Sequence, residues 1–202
     1  MSIVLVRHGE TAGNAARVLQ TAEVPLNELG MRQAECLAER LATMRVSHIL
    51  CSDLKRARMT AEPIARRLGL ELETTPLLAE RSFGDLRGTP YAELASDPFA
   101  PDFAPPNGET WAEFHARVAE AFALIRARRA STPSDLLVVT HGFVCRAIVQ
   151  RHVPPLAAVV PSAFGNTGVT LLEDEAPHRA RLVDCCSHLD RAATRTGPSG
   201  PA

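Results

Sequence analysis

Along this chain, short unbroken apolar runs alternate with longer stretches in which apolar residues recur every three or four positions, a pattern that predicts strands and helices in alternation. Ile3 to Val6 is the first run, and it stops at Arg7, His8 and Gly9, as a buried strand does on reaching a loop. Asn27 or Gly30 begins a helix that places Ala34, Leu37, Ala38, Leu41 and Ala42 on one face. Ser47 to Cys51 reads as a second strand, after which Ser52 or Asp53 can cap a helix from Leu54 to about Leu68, ended by Gly69. Leu70 to Thr74 alternates weakly as a third strand and leads through Pro76-Leu77-Leu78-Ala79 to Glu80-Arg81. Between Gly84 and Gly108 prolines and aromatic residues break the pattern, leaving room for one short helix around Tyr91 to Ser96. A long helix follows from about Glu109 to Arg129, with Trp111, Phe114, Val118, Phe122 and Ile125 on its apolar face. Asp135 to Thr140 is the clearest strand, Phe143 to Arg151 the next helix, and Val169 to Leu172 with Arg181 to Cys185 a closing pair of strands.

This order of elements predicts an α/β fold, a three-layer α/β/α sandwich around a mostly parallel sheet. With 202 residues and 46% hydrophobic content, residues 1–190 are expected to form a single domain carrying an irregular, lid-like insertion at about 84–108. From Arg191 onward Thr, Gly, Pro and Ser dominate, and a disordered tail is expected there.

Composition narrows the partners. A net charge of -1 and a pI near 6.7 remove the bulk electrostatic case for nucleic acid or an anionic membrane. No apolar stretch approaches the roughly 20 residues a membrane-spanning helix requires, and the first residues lack a signal-peptide pattern, so a cytoplasmic location is expected. The five cysteines, odd in number and without Cys-x-x-Cys spacing, read as buried thiols outside any disulfide.

Reactive side chains cluster where such a fold would gather them. In open α/β sheets ligands bind outside the carboxyl ends of the strands. Arg7-His8 follows the first strand, Asp53 to Arg56 the second, Glu80 the Leu77-Leu78 run, and His141-Gly142 the Leu136 to Val139 strand. Two histidines, two arginines and a carboxylate arriving together suggest one pocket for a phosphoryl group. Arg7 offers a planar fork of donors, His8 a nitrogen that can attack or carry a proton, and Gly9 a close backbone approach. Other readings stay open: Arg56 as a helix-surface arginine, Glu80 as a turn cap with Glu73 and Glu109 as rival carboxylates, Glu10 and Thr11 as braces of the loop.

The strings Leu5-Val6-Arg7-His8-Gly9-Glu10-Thr11 with Asn14, Cys51-Ser52-Asp53-Leu54-Lys55-Arg56-Ala57, Glu80 with Gly84 and Gly88, Gly108-Glu109-Thr110, and Thr140-His141-Gly142 with Arg146 resemble the histidine phosphatase superfamily in its phosphoglycerate-mutase-like branch. The resemblance runs from residue 3 to about residue 172. It implies His8 as the nucleophile, Glu80 as the proton donor, and Arg7, Arg56 and His141 around the phosphoryl oxygens, with Asn14 as a further donor. Arg81 and Thr167 complete the candidate substrate-binding set, and Arg87 joins Arg81 as a candidate reader of a second anionic group.

No metal and no cofactor are expected, because arginines and an imidazole stand where other phosphoryl-transfer sites use a cation. The expected partner is a small-molecule phosphate ester of sugar or acid type, and a homodimer is left open. The implied activity is a phosphomonoesterase working through a phosphohistidine. The rivals are a cofactor-dependent phosphoglycerate mutase and a catalytically silent phospho-ligand module. Water as acceptor is favoured because Glu80 to Gly88 departs from the mutase run, which has tyrosine before its first glycine. It also departs from the commoner phosphatase run, which has tryptophan and glutamate at the positions of Leu86 and Arg87.

Overall fold

In the computed structural model, which describes residues 1–154 and 160–189, the apolar runs form the centre of a sheet. The tail expected from Arg191 onward lies outside those residues. Ser2–Arg7 (β1), Val46–Ser52 (β2), Leu72–Thr75 (β3), Asp135–Thr140 (β4), Val169–Glu173 (β5) and Ala180–Cys185 (β6) stand in the order β3-β2-β4-β1-β5-β6. The pairs β1 with β4, β2 with β4 and β2 with β3 are parallel, while β1 with β5 and β5 with β6 are antiparallel. The sheet is therefore mixed and mostly parallel.

Both faces of the sheet are covered, which is why the central strands read as unbroken apolar runs. Side chains alternate across a strand, so Ile3 and Leu5 join one core cluster and Val4 and Val6 the other. The first cluster is completed by Trp111–Ser131 (α4) and Gly142–His152 (α5), the second by Glu28–Leu41 (α2) and Lys55–Leu68 (α3). Cys51 and Cys145 are buried thiols in these two layers. Among the described residues no helix is long and apolar enough to cross a membrane.

Local chemistry sets most of the boundaries. Asn27 caps α2 by accepting the Gly30 N–H, Thr110 and Glu113 form a reciprocal capping box at the start of α4, and Gly69 ends α3 with φ +66. Two expectations fail. Neither Ser52 nor Asp53 caps α3, whose N-cap is Leu54 without a side-chain bond, because β2 continues through Ser52 and turns that hydroxyl toward His141. A four-residue helix, Ala12–Ala15 (α1), appears where none was expected, held by a capping box between Thr11 and Asn14.

The segment 84–108 contains 3-10 turns at Gly84–Leu86 and Tyr91–Glu93 instead of the short helix expected at Tyr91 to Ser96. It is tied down by Gly88 N–H to Leu19 O at 2.6 Å, Leu19 N–H to Thr89 O at 3.0 Å and Tyr91 N–H to Arg17 O at 2.9 Å. Gly84 is required there: it has φ +54, and a Cβ would sit 1.9 Å from the Pro106 carbonyl oxygen.

Candidate active site

β1 and β4 run side by side in parallel with Arg7 opposite Thr140, so the segments after them leave the sheet together. The His8 N–H donates to Thr140 O at 2.8 Å, continuing the ladder one residue further. From there the loop is braced on the helices below it. Gly9 N–H donates to Thr60 Oγ1 at 3.0 Å, Glu10 N–H to Gln33 Oε1 at 2.8 Å, and Asn27 Nδ2 to Glu10 Oε1 at 2.8 Å. Glu10 and Thr11 thus serve the loop as the sequence suggested. β2 delivers Ser52 beside His141, the first turn of α3 supplies Arg56, and Glu80 arrives after the 3-10 turn Pro76–Leu78 that follows β3.

The structure brings the main candidates to one place. Arg7, His8, Asn14, Arg56 and Glu80 line a cavity of about 220 Å³. His141 lies just behind, fully buried, with its ring centroid 5.0 Å from that of His8.

His8 is prepared for a single role at each nitrogen. Its Nδ1 lies 2.6 Å from the Gly9 carbonyl oxygen, which can only accept, so the proton sits on Nδ1 and the lone pair on Nε2. Burial first, then the Arg56 and Arg7 charges, hold the imidazole well below its usual pKa, so it is neutral near pH 7. The same causes, burial followed by Arg56, His8 and Arg7, hold His141 down as well. His141 Nε2 lies 2.9 Å from Ser52 Oγ, and its buried Nδ1 has no hydrogen-bond partner among the described residues.

The cations face the same cavity. Arg56 Nη1 donates to Thr21 O at 3.0 Å, while its buried Nε has no hydrogen-bond partner among the described residues. Burial, joined by Arg7 and opposed by Glu80, lowers this guanidinium to about 10, which leaves it charged near neutrality. Arg7 donates from Nη1 to the Phe164 carbonyl oxygen, and burial lowers its pKa too. The Asn14 oxygen accepts the Thr11 N–H at 3.2 Å, so what Asn14 can offer an anion is its amide nitrogen.

Glu80 is the one carboxylate of the three candidates in position. Its Oε1 accepts the Arg81 N–H at 3.0 Å and its Oε2 the Phe143 N–H at 3.2 Å. Burial nonetheless raises its pKa against those two bonds and the Arg56 and Arg7 charges. Glu109 is held by Arg117 Nε at 2.7 Å and Nη2 at 2.8 Å, and Glu73 pairs with His48 and Arg128 outside the cavity.

Arg81 lines the same cavity but with its guanidinium engaged, and Thr167 is placed otherwise than expected. The Arg81 guanidinium donates to the carbonyls of Glu109, Pro98 and Phe103 at 3.0, 3.2 and 2.7 Å and lies 3.8 Å over the Trp111 ring, so it fastens the 84–108 segment. Thr167 is fully buried with φ +56, outside the cavity lining. Its N–H donates to Arg7 O at 3.0 Å, and its hydroxyl meets His188 Nε2 at 3.1 Å. Thr167 therefore braces the Arg7-His8 loop from behind.

Several supporting residues escaped the sequence reading. Ser52 contacts His141, Asn166 Nδ2 donates to His8 O at 3.0 Å, and Arg117 donates to the carbonyls of Leu77 and Ala79 at 2.9 and 2.8 Å. Ser52 had one usable signal, its place at the carboxyl end of an apolar strand.

Comparison with known proteins bears on this arrangement directly. A sequence model of the histidine phosphatase superfamily (branch 1) matches residues 3–188. The chain belongs to the histidine phosphatase superfamily. Within that superfamily, phosphoglycerate mutase-like protein 4 of Arabidopsis thaliana is 38% identical over 201 residues, covering 93% of this chain and 86% of that one. A probable phosphoglycerate mutase, GpmB of Yersinia pestis, is 42% identical over 98 residues, 48% of this chain and 46% of that protein.

Among solved structures, a putative α-ribazole-5'-P phosphatase from Escherichia coli superposes with a TM-score of 0.79 at 25% identity, covering 92% of this chain and 97% of that one. A mycobacterial glucosyl-3-phosphoglycerate phosphatase in complex with VO3 gives 0.76 at 29% identity, covering 90% and 96%. The chain is thus an enzyme of the phosphatase or phosphotransferase type.

Proposed function

We propose that this histidine phosphatase is a metal-independent phosphomonoesterase that hydrolyses a small phosphate ester through a phosphohistidine. One observation carries the reading: a neutral His8, with its proton fixed on Nδ1, stands in a cavity lined by two guanidiniums and a carboxyl that burial inclines to keep its proton. His8 Nε2 attacks phosphorus, and the bond from phosphorus to the ester oxygen breaks. The departing alkoxide takes the Glu80 proton. Glu80, now a carboxylate, takes a proton from water as its oxygen attacks phosphorus, the P–N bond breaks, and phosphate leaves with both groups restored.

Arg7 and Arg56 meet the charge on the equatorial oxygens, with Asn14 Nδ2 as a neutral donor. The unpartnered Nδ1 of His141 is the buried atom that a phosphoryl oxygen would satisfy. Ser52 Oγ accepts the Leu54 N–H at 3.3 Å and can donate to His141 Nε2, which would keep the His141 proton on Nδ1.

The second reading is a phosphoglycerate mutase, favoured by the names of the Arabidopsis and Yersinia relatives. A screen of phosphorylated metabolites in EDTA, with and without 2,3-bisphosphoglycerate, separates the two. The expected result is phosphate release that needs neither the bisphosphate nor a divalent cation. Turnover only with the bisphosphate would establish the mutase, activity restored by Mg²⁺ would contradict metal independence, and no turnover at all would favour a silent phospho-ligand module.

A further inference from the structure

The cavity that Glu80 lines has an aromatic wall that phosphoryl transfer does not itself require. Phe83 lies three residues further along the chain, and Phe143 is the residue whose N–H holds Glu80 Oε2. Their rings are 6.3 Å apart, and Phe99, from the 84–108 segment, stands against both at 6.1 and 5.5 Å. Tyr91 extends the cluster, 5.3 Å from Phe99. All four rings line the cavity that holds His8 and the two arginines. The ester oxygen must come within hydrogen-bond reach of the Glu80 carboxyl to receive its proton, so whatever that oxygen carries shares the cavity with these rings.

Arg81, Arg87 and Arg146 line the same cavity, each with at least one donor already engaged. The Arg81 guanidinium is taken by three carbonyls. Arg146 Nη1 donates to Ser162 O at 3.1 Å, and the exposed Arg87 donates from Nη2 to Ser82 Oγ at 2.5 Å. A carboxylate or polyhydroxyl group placed against the faces of Phe83, Phe99 and Phe143 would lose water to rings that offer it no hydrogen bond. A flat apolar group would gain buried area and ring-edge contacts. Size is compatible with such a group: an apolar cavity of about 150 Å³ holds benzene, and the 220 Å³ here accommodates a phosphoryl group and one ring.

We infer that the substrate class is monophosphate esters of compact, ring-bearing apolar alcohols, in place of the sugar- or acid-type esters the sequence suggested. The inference rests on the phosphomonoesterase reading above. It is tested by comparing 2-phenylethyl phosphate with glycerol 3-phosphate and 3-phosphoglycerate, all esters of primary alcohols with similar need of the acid. The expected kcat/KM for the phenylethyl ester is higher by about tenfold or more. Phe99→Ala, checked for folding by thermal melting, should remove most of that preference, chiefly through KM. If Phe99→Ala does not fold, the comparison on the native protein decides alone.

Turnover of all three esters without preference, or preference for 3-phosphoglycerate, overturns the inference and leaves the phosphatase reading standing. Calorimetry with non-hydrolysable phosphonate analogues of the same esters provides the independent arm. Tighter binding of the phenylethyl analogue without any turnover would keep the ligand class and remove the phosphatase reading. No preference in either measurement would remove the ligand class as well.

Discussion

Burial drives His8 and Glu80 in opposite directions, the imidazole pKa down and the carboxyl pKa up, and both shifts favour the uncharged form. In the proposed mechanism attack needs the neutral imidazole and departure needs the protonated carboxyl, so the shifts widen the pH range in which both are ready. For an alkyl phosphate, kcat/KM should fall on the acid side only well below about pH 6.5, where His8 at last takes a second proton. On the basic side it should fall as pH rises through the raised Glu80 pKa. Glu80→Gln should abolish the basic limb and cost about 10²-fold or more on alkyl esters, but under about tenfold on p-nitrophenyl phosphate, whose leaving group needs no proton. Equal losses on both esters would contradict the acid role.

At this scale Arg7, His8, Arg56, Glu80 and His141 were legible because each follows a strand or a strand-like run, where the fold leaves side chains free for a ligand. Arg81 was not. A sequence shows a guanidinium but not which carbonyls lie within its reach, and here three of them are backbone groups of distant residues.

Among the elements, α4 does more than cover the sheet. One turn after the buried Phe114 it projects Arg117, whose guanidinium donates to Leu77 O, Ala79 O and, at 3.5 Å, Glu80 O, while pairing with Glu109. Arg117 thereby positions the segment that carries Glu80, the proposed acid. Arg117→Lys keeps the charge but cannot span these acceptors. It should lower kcat on alkyl esters more than on p-nitrophenyl phosphate and leave KM nearly unchanged. Arg117→Ala should cost about 2–4 kcal/mol of stability in urea denaturation, since the Glu109 carboxylate and the carbonyls are left behind partly buried. A lysine variant with native stability and an unchanged leaving-group dependence would show that α4 plays no positioning part.

The long elements were readable from periodicity, and β4 was predicted from Asp135 to Thr140, the span it occupies. The four-residue α1 and the 3-10 turns were not, because they are too short to display a period and depend on contacts such as the Thr11–Asn14 box.

For the whole molecule, the order β3-β2-β4-β1 puts the carboxyl ends of four parallel strands along one rim, and the loops after those ends carry the cup. Alternation of strands and helices in the sequence implied a layered fold with such a rim. It could not give the strand order, nor show that the 84–108 segment would dock through Leu19 and Arg17 and bring Phe99 against Phe143, because those contacts join residues far apart in the chain.

The account depends on phosphorus resting on His8, and that can be measured. The protein is quenched in alkali during turnover of p-nitrophenyl phosphate, where phosphohistidine survives, and its peptides are analysed by mass spectrometry. The prediction is an acid-labile phosphoryl group on His8, absent from His8→Ala, which no longer turns over. A phosphoryl group on another residue, or near-normal turnover by His8→Ala, would contradict it.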